Sequence, residues 1–239
     1  AKTLAEVEAA ATEGVIVETI EADFSSLEAV RAMAAEVQER VEALDVLLNN
    51  AGIYATEGQR SADGFELTMA VNHLAPFLLT HLLWPRLRAA TAARVVNVSS
   101  IAHNRGSLDA ATFEALPARY EGYGAYAASK LANVLFTLEL ARRVEAQVGT
   151  PTITVNSLHP GVVSTKLLQE GFGMEGPDSL AEGAATSVFL ATSDEVAGLS
   201  GRYFLRCKEA PMAESTGDAE LCRRLYQRSC ALVGIEGLA

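Results

Sequence analysis

The sequence is poor in cysteine, in basic residues and in uninterrupted apolar runs. Three cysteines in 239 residues, Cys207, Cys222 and Cys230, are too few and too scattered for a disulfide framework or a zinc cluster. They read as reduced thiols of a cytoplasmic protein. Nineteen Lys and Arg stand against 30 Asp and Glu, a net charge of −11. Such a surface repels a phosphate backbone unless a basic patch interrupts it. Arg223-Arg224 reads as the solvated face of a late helix, not as a patch, so nucleic acid is disfavoured as a partner. The most apolar stretch, Met69 to Trp84, is broken by Asn72, His73, Thr80 and His81 and is too short for a membrane span. No signal peptide is evident, and the sequence starts at Ala1 rather than Met.

What is there is ordinary globular composition, 49% hydrophobic and 21% charged. β-rich runs alternate with longer helical stretches, the pattern of a parallel sheet covered by helices. Helices are predicted over 1–13, from a Ser25/Glu28 capping box to about 42, over 65–87 with kinks at Pro76 and Pro85, over 125–147, 180–191 and 218–232, with a short one near 110–115. Strands are predicted over 15–22, 44–49, 94–99, 152–158 and 201–206, and 160–178 reads as a mobile segment. The whole of 1–239 reads as a single domain.

Three features follow one another in a telling order. Asn49-Asn50-Ala51-Gly52 ends one strand, Ser99-Ser100 ends the next, and Tyr126 and Lys130 lie at i and i+4 on a helix, hence on one face. Ligands of open α/β sheets bind beyond the carboxyl ends of strands, where the first two motifs fall. Tyr-x-x-x-Lys alone more often describes an exposed tyrosine and a solvated lysine; its place in the series is what gives it weight.

Together with Val71-Asn72, Val96-Asn97-Val98-Ser99-Ser100 and His159-Pro160-Gly161, these motifs resemble the short-chain dehydrogenase/reductase family over nearly the whole chain. Ser99 to His103, Ser129 to Asn133 and Leu158 to Val163 are similar to its branch of retinol dehydrogenases and WW-domain oxidoreductases. The resemblance implies a Rossmann-like doubly wound parallel α/β sheet. It implies hydride transfer between NADP or NAD, tilted toward NADP, and a small-molecule alcohol or carbonyl substrate of lipophilic character. Tyr126 would be the general acid or base, Lys130 would favour its anion, Ser100 would hold the substrate oxygen, and Asn72 would hold a relay water. Cofactor contacts would come from Asp23, Asn50, Ala51, Gly52, Pro160, Gly161, Val162, Val163 and Thr165, besides Tyr126 and Lys130. No metal is implied.

The family opens with a strand, a glycine-rich turn, a helix and a second strand, and none of these precedes residue 1. Strands 1 and 2 of the family fold are thus expected to be absent. The 15–22 and 44–49 strands are then expected either to close up and pair or to flank a segment outside this sequence. A truncated, non-catalytic member unable to hold a dinucleotide is the rival reading. Gly171-Phe172-Gly173-Met174-Glu175-Gly176 fits G-x-G-x-x-G in letters only: it neither follows a strand directly nor opens a helix, and reads as a flexible lid. Leu131, Val134, Leu135 and Leu138 form a stripe that serves either as core or, since the family often dimerises through this helix, as the seam of a homo-oligomer. His159 reads as a packed histidine or an active-site base, and His103 as a candidate pocket residue.

Overall fold

In a computed structural model, which describes residues 2–108, 120–148 and 153–238, the β-rich runs form one sheet. Strands β1 (Val46–Asn49), β2 (Ala93–Val98), β3 (Ile153–His159) and β4 (Arg202–Leu205) pair in parallel in that order, and β5 (Lys208–Glu209) pairs antiparallel with β4. The two-residue side-chain period sends alternate residues to opposite faces. Leu47, Ala93, Val95, Ile153 and Val155 join the larger core, with helices α2 (Leu27–Arg40), α4 (Ala75–Leu82), α6 (Gly122–Val148) and α8 (Ala219–Val233). Val96, Val98, Leu158 and Phe204 pack on the other face against Leu190 of α7 (Leu180–Thr192). Helices on both faces of a mainly parallel sheet make the fold Rossmann-like.

The remaining helices are α1 (Lys2–Ala10), α3 (Leu67–Met69) and α5 (Trp84–Ala89). Among the described residues, no helix is long and apolar enough to cross a membrane. Leu131, Val134 and Leu135 of α6 are fully buried, and Leu138 packs on the same cluster, so the stripe is core. The short helix expected near 110–115 lies outside the described residues.

Two local expectations are corrected. The 15–22 segment is not a strand: it pairs with nothing in the sheet, and Val15 and Ile16 are exposed. Its β-branched residues favour a pleated, half-buried surface, and no neighbouring strand supplies one. It does not close onto β1, which pairs only with β2, and Leu48 of β1 is exposed. The second correction concerns the start of α2. Its cap is Ser26, whose hydroxyl accepts from the Ala29 N–H at 3.3 Å, not a Ser25/Glu28 box. The Leu27 N–H is taken by Asp63, and the Ser25 N–H by Asp23, which places Ser25 in the preceding turn. A true capping box forms instead at α7, between Ser179 and Glu182.

The kinks expected between Phe65 and Leu87 break the stretch into α3, a π-helical turn (Ala70–Leu74), α4 and α5. The Ala75 N–H reaches back five residues to Ala70 O. Pro76 has no N–H to offer the Asn72 carbonyl one turn back. That carbonyl instead accepts from Asn133 Nδ2 of α6, at 2.9 Å. A proline in one helix thereby releases a backbone acceptor that a side chain of the site helix takes.

Candidate active site

Ser100 follows β2, while Tyr126 and Lys130 stand one turn apart on α6. All three are buried and line one cavity of about 770 Å³ beyond the carboxyl ends of the strands. Lys130 Nζ donates to Val98 O at 3.1 Å and lies 5.5 Å from the centre of the Tyr126 ring. Burial pushes the Lys130 ammonium down to about 8. Burial raises the Tyr126 phenol, and a hydrogen bond with Ser100 pulls it back. The neighbouring Ser99 hydroxyl donates to Lys130 O at 2.7 Å and serves the packing of α6. Of the serine pair, Ser100 is the one that acts on the phenol's pKa.

Asn72 does not line the cavity; it braces it from behind. Its Oδ1 accepts from the Ile53 N–H at 2.7 Å, and its Nδ2 donates to Ile53 O and to Ser129 Oγ. A Cβ on Gly52 would come within 3.2 Å of Asn72 Oδ1 and 3.4 Å of Lys130 Nζ. Glycine at this strand end therefore lets the chain pass close to the lysine.

Of the residues expected at a cofactor, Asn50, Ala51 and Gly52 line the cavity on one side. Pro160, Gly161, Val162, Val163 and Thr165 line it on the other. Asp23 is not brought into this cluster. It is exposed, and its Oδ1 accepts from the Ser25 N–H, which holds the carboxyl below its ordinary range. The Val162 N–H donates to Asp178 Oδ2 at 2.7 Å, and the Asp178 N–H returns a bond to Val162 O at 3.2 Å. Both backbone groups of Val162 are thus engaged within the chain.

The 160–178 segment contains a π-helical turn (Leu167–Gly171), and Ser164 Oγ ties its two arms together by bonding both backbone groups of Gly176. Phe172 packs on Tyr54 with the rings tilted, 4.2 Å between centres, and meets the Tyr126 ring edge-on at 5.5 Å. The Gly171–Gly176 string is therefore a covering strap with an aromatic tip, not a phosphate loop.

Sequence reasoning passed over Tyr54, Phe172 and Asn133. Asn133 stood in the open: it lies at i+7 from Tyr126 and i+3 from Lys130, a polar residue on the same helix face. Its Nδ2 joins the Asn72 carbonyl to that of Val98, at 3.4 Å, and its Oδ1 bonds His73 Nδ1 at 3.2 Å. No periodicity signals Tyr54 and Phe172, which meet across 118 residues of chain.

A buried tyrosine with a lysine and a serine beside it, at the open end of a parallel sheet in a Rossmann-like protein, is an arrangement able to move a proton. The chain belongs to the short chain dehydrogenase family, whose model matches residues 1–175. It is 41% identical to human retinol dehydrogenase 14 over 229 residues, 90% of this chain and 66% of that protein. Identity to human retinol dehydrogenase 13 is 38% over 229 residues, 90% of this chain and 68% of that protein. The chain thus spans about two thirds of the length of these relatives. A crystal structure of an uncharacterized protein from Mycobacterium paratuberculosis aligns at TM-score 0.77 and 33% identity, covering 98% of this chain and 82% of that one. A short chain dehydrogenase from Burkholderia cenocepacia in complex with NADP aligns at TM-score 0.64 and 26% identity, covering 85% and 79%.

The site residues fit the nicotinamide end of such a cofactor. Lys130 is buried, carries three N–H donors, faces the cavity and gives one of them to Val98 O. Among the described residues, no glycine-rich strand–turn–helix borders the cavity for a pyrophosphate.

Proposed function

We propose that the protein is an NAD(P)-dependent oxidoreductase that interconverts a lipophilic alcohol and its carbonyl, with NADP(H) preferred. The observation that carries this reading is the meeting of Ser100, Tyr126 and Lys130 on the lining of one cavity, with the lysine ammonium 5.5 Å from the centre of the phenol ring. The retinol dehydrogenase relatives and the NADP-bound neighbour support the substrate and cofactor classes. So do the apolar and aromatic walls, which include Leu167, Phe172 and Met174.

In reduction, the Tyr126 hydroxyl gives its proton to the carbonyl oxygen; in oxidation, the phenolate takes the alcohol proton. Burial keeps the phenol protonated at neutral pH, which suits the acid role. The Lys130 ammonium lowers the cost of the anion left behind. Ser100 holds the substrate oxygen within reach of the phenol. Asn133 and Asn72 keep Lys130 and the Gly52 turn in register. A nicotinamide, when bound, would supply or accept the hydride. Asn50 to Gly52 and Pro160 to Thr165 would hold it from the two sides of the cavity.

The non-catalytic reading has no comparable support, since the proton-transfer residues are assembled and none is substituted. Titration with NADPH and then NADH, followed by nicotinamide fluorescence, tests the proposal. Saturable binding is expected, with Tyr126→Phe binding equally but failing to turn over a panel of lipophilic aldehydes. A folded protein that binds neither cofactor would overturn it.

A further inference from the structure

We infer that His103 is a positioning residue for Ser100, a role that rests on the reading of Ser100 as the substrate-oxygen partner. His103 belongs to the 3-10 turn Ile101–Arg105, is fully buried and does not line the cavity. It works from behind the serine. Its ring Nδ1 lies 2.7 Å from Ser100 O, and its backbone N–H donates to the same oxygen at 3.0 Å. Two donors from one residue therefore clamp the Ser100 carbonyl. The far side of the ring is anchored too, with Nε2 3.1 Å from the Ala213 backbone N–H.

The partners decide the tautomer. A carbonyl only accepts, so Nδ1 carries the hydrogen; a backbone N–H only donates, so Nε2 is bare. The imidazole is thus neutral and used at both ends, and burial, which holds its pKa below the ordinary histidine range, favours the same form. The ring packs against Tyr203 at 4.6 Å between centres, so it has little room to turn. At the end of the turn, a Cβ on Gly106 would come within 2.5 Å of Ala127 O, the residue after the proposed acid. The serine loop is pressed onto α6 on one side and pinned by His103 to the segment before α8 on the other. Placement of the Ser100 hydroxyl against Tyr126 is thereby set by a residue that touches neither substrate nor cofactor.

Three substitutions separate this role from a simple tie between two loops. His103→Asn keeps a donor near the Nδ1 position and loses the Ala213 acceptor. His103→Gln reaches Ala213 and loses the donor to Ser100. His103→Phe keeps the packing on Tyr203 and loses both bonds. In a wild-type protein that reduces a lipophilic aldehyde with NADPH, Gln and Phe are expected to lower kcat about tenfold or more, with NADPH affinity unchanged, while Asn stays within about threefold. Asn and Gln each forfeit one buried hydrogen bond, so a purely structural tie would make them equal. Equal losses in all three, or no loss in any, would overturn the inference. The ring nitrogen shifts of wild-type His103, read by 15N NMR at neutral pH, test the geometry even where a variant fails to fold. The Nδ1–H tautomer is expected, and an Nε2–H tautomer or an imidazolium would overturn the clamp. A wild type without turnover sinks the proposed function instead, and the tautomer then decides the clamp alone.

Discussion

Lys130 holds its ammonium 5.5 Å from the centre of the Tyr126 ring, in a fully buried position where Val98 O accepts one of its hydrogens. The fold tolerates this charge rather than profiting from it. Burial lowers the folded pKa to about 8, so below that pH the buried ammonium carries its full cost, which fades only as pH rises toward the unfolded value. Lys130→Met is expected to raise stability at pH 7 on the order of 2 kcal/mol while abolishing turnover. Thermal melts at pH 7 and pH 10 check it. The gain should shrink at the higher pH, and a destabilised variant would contradict it.

Phe172 covers Tyr126 from the strap and packs against Tyr54. Phe172→Ala removes apolar area from the substrate side of the cavity without touching Ser100 or Lys130. KM for a lipophilic aldehyde is expected to rise about tenfold, with kcat changed far less. Steady-state kinetics with a long-chain and a short-chain aldehyde check this, because the short one should be nearly indifferent.

His73 is buried and His81 half-buried, and loss of solvation pushes both down to about 4. Between that value and the ordinary one near 6.5 the unfolded chain binds protons that the folded chain refuses. Stability should therefore fall as pH drops through this window, by about 1.4 kcal/mol per pH unit for each histidine. Urea unfolding from pH 7 to pH 4 measures the slope. His73→Gln should make it shallower, and an unchanged slope would exclude His73 as a contributor.

Gly161 sits at φ +97°, where side chains are strained, and a Cβ there would come within 2.5 Å of Asp178 Oδ2. That carboxylate holds the Val162 N–H at the root of the strap. Gly161→Ala is expected to cost about 1–3 kcal/mol and to speed hydrogen exchange at the Val162 amide. An amide as protected as in the wild type would show that the strap does not depend on this clasp.

The strand segments from residue 44 onward, the long helix of Tyr126 and Lys130, and the place of Ser100 at a strand end were legible in the sequence, because local patterns carry them. Buried strands read as β-branched runs, and residues four apart on a helix share a face whatever surrounds them. Pairing is another matter. The 15–22 run has strand composition and no strand, since hydrogen bonding to a neighbour is not a property of the segment itself. Asp23 lies outside the cavity lining, and its carboxylate accepts from the Ser25 amide beside it in a local turn. The polar frame around the site lay beyond the sequence as well. Pro76 shows that a helical acceptor goes free, but only packing brings Asn133 to that carbonyl, and only packing sets His103 between Ser100 and Ala213 across 110 residues. Sequence by itself determined which groups could do the chemistry. Tertiary structure decided how each is held, because buried donors and acceptors take whatever partner the packed chain delivers within hydrogen-bond reach.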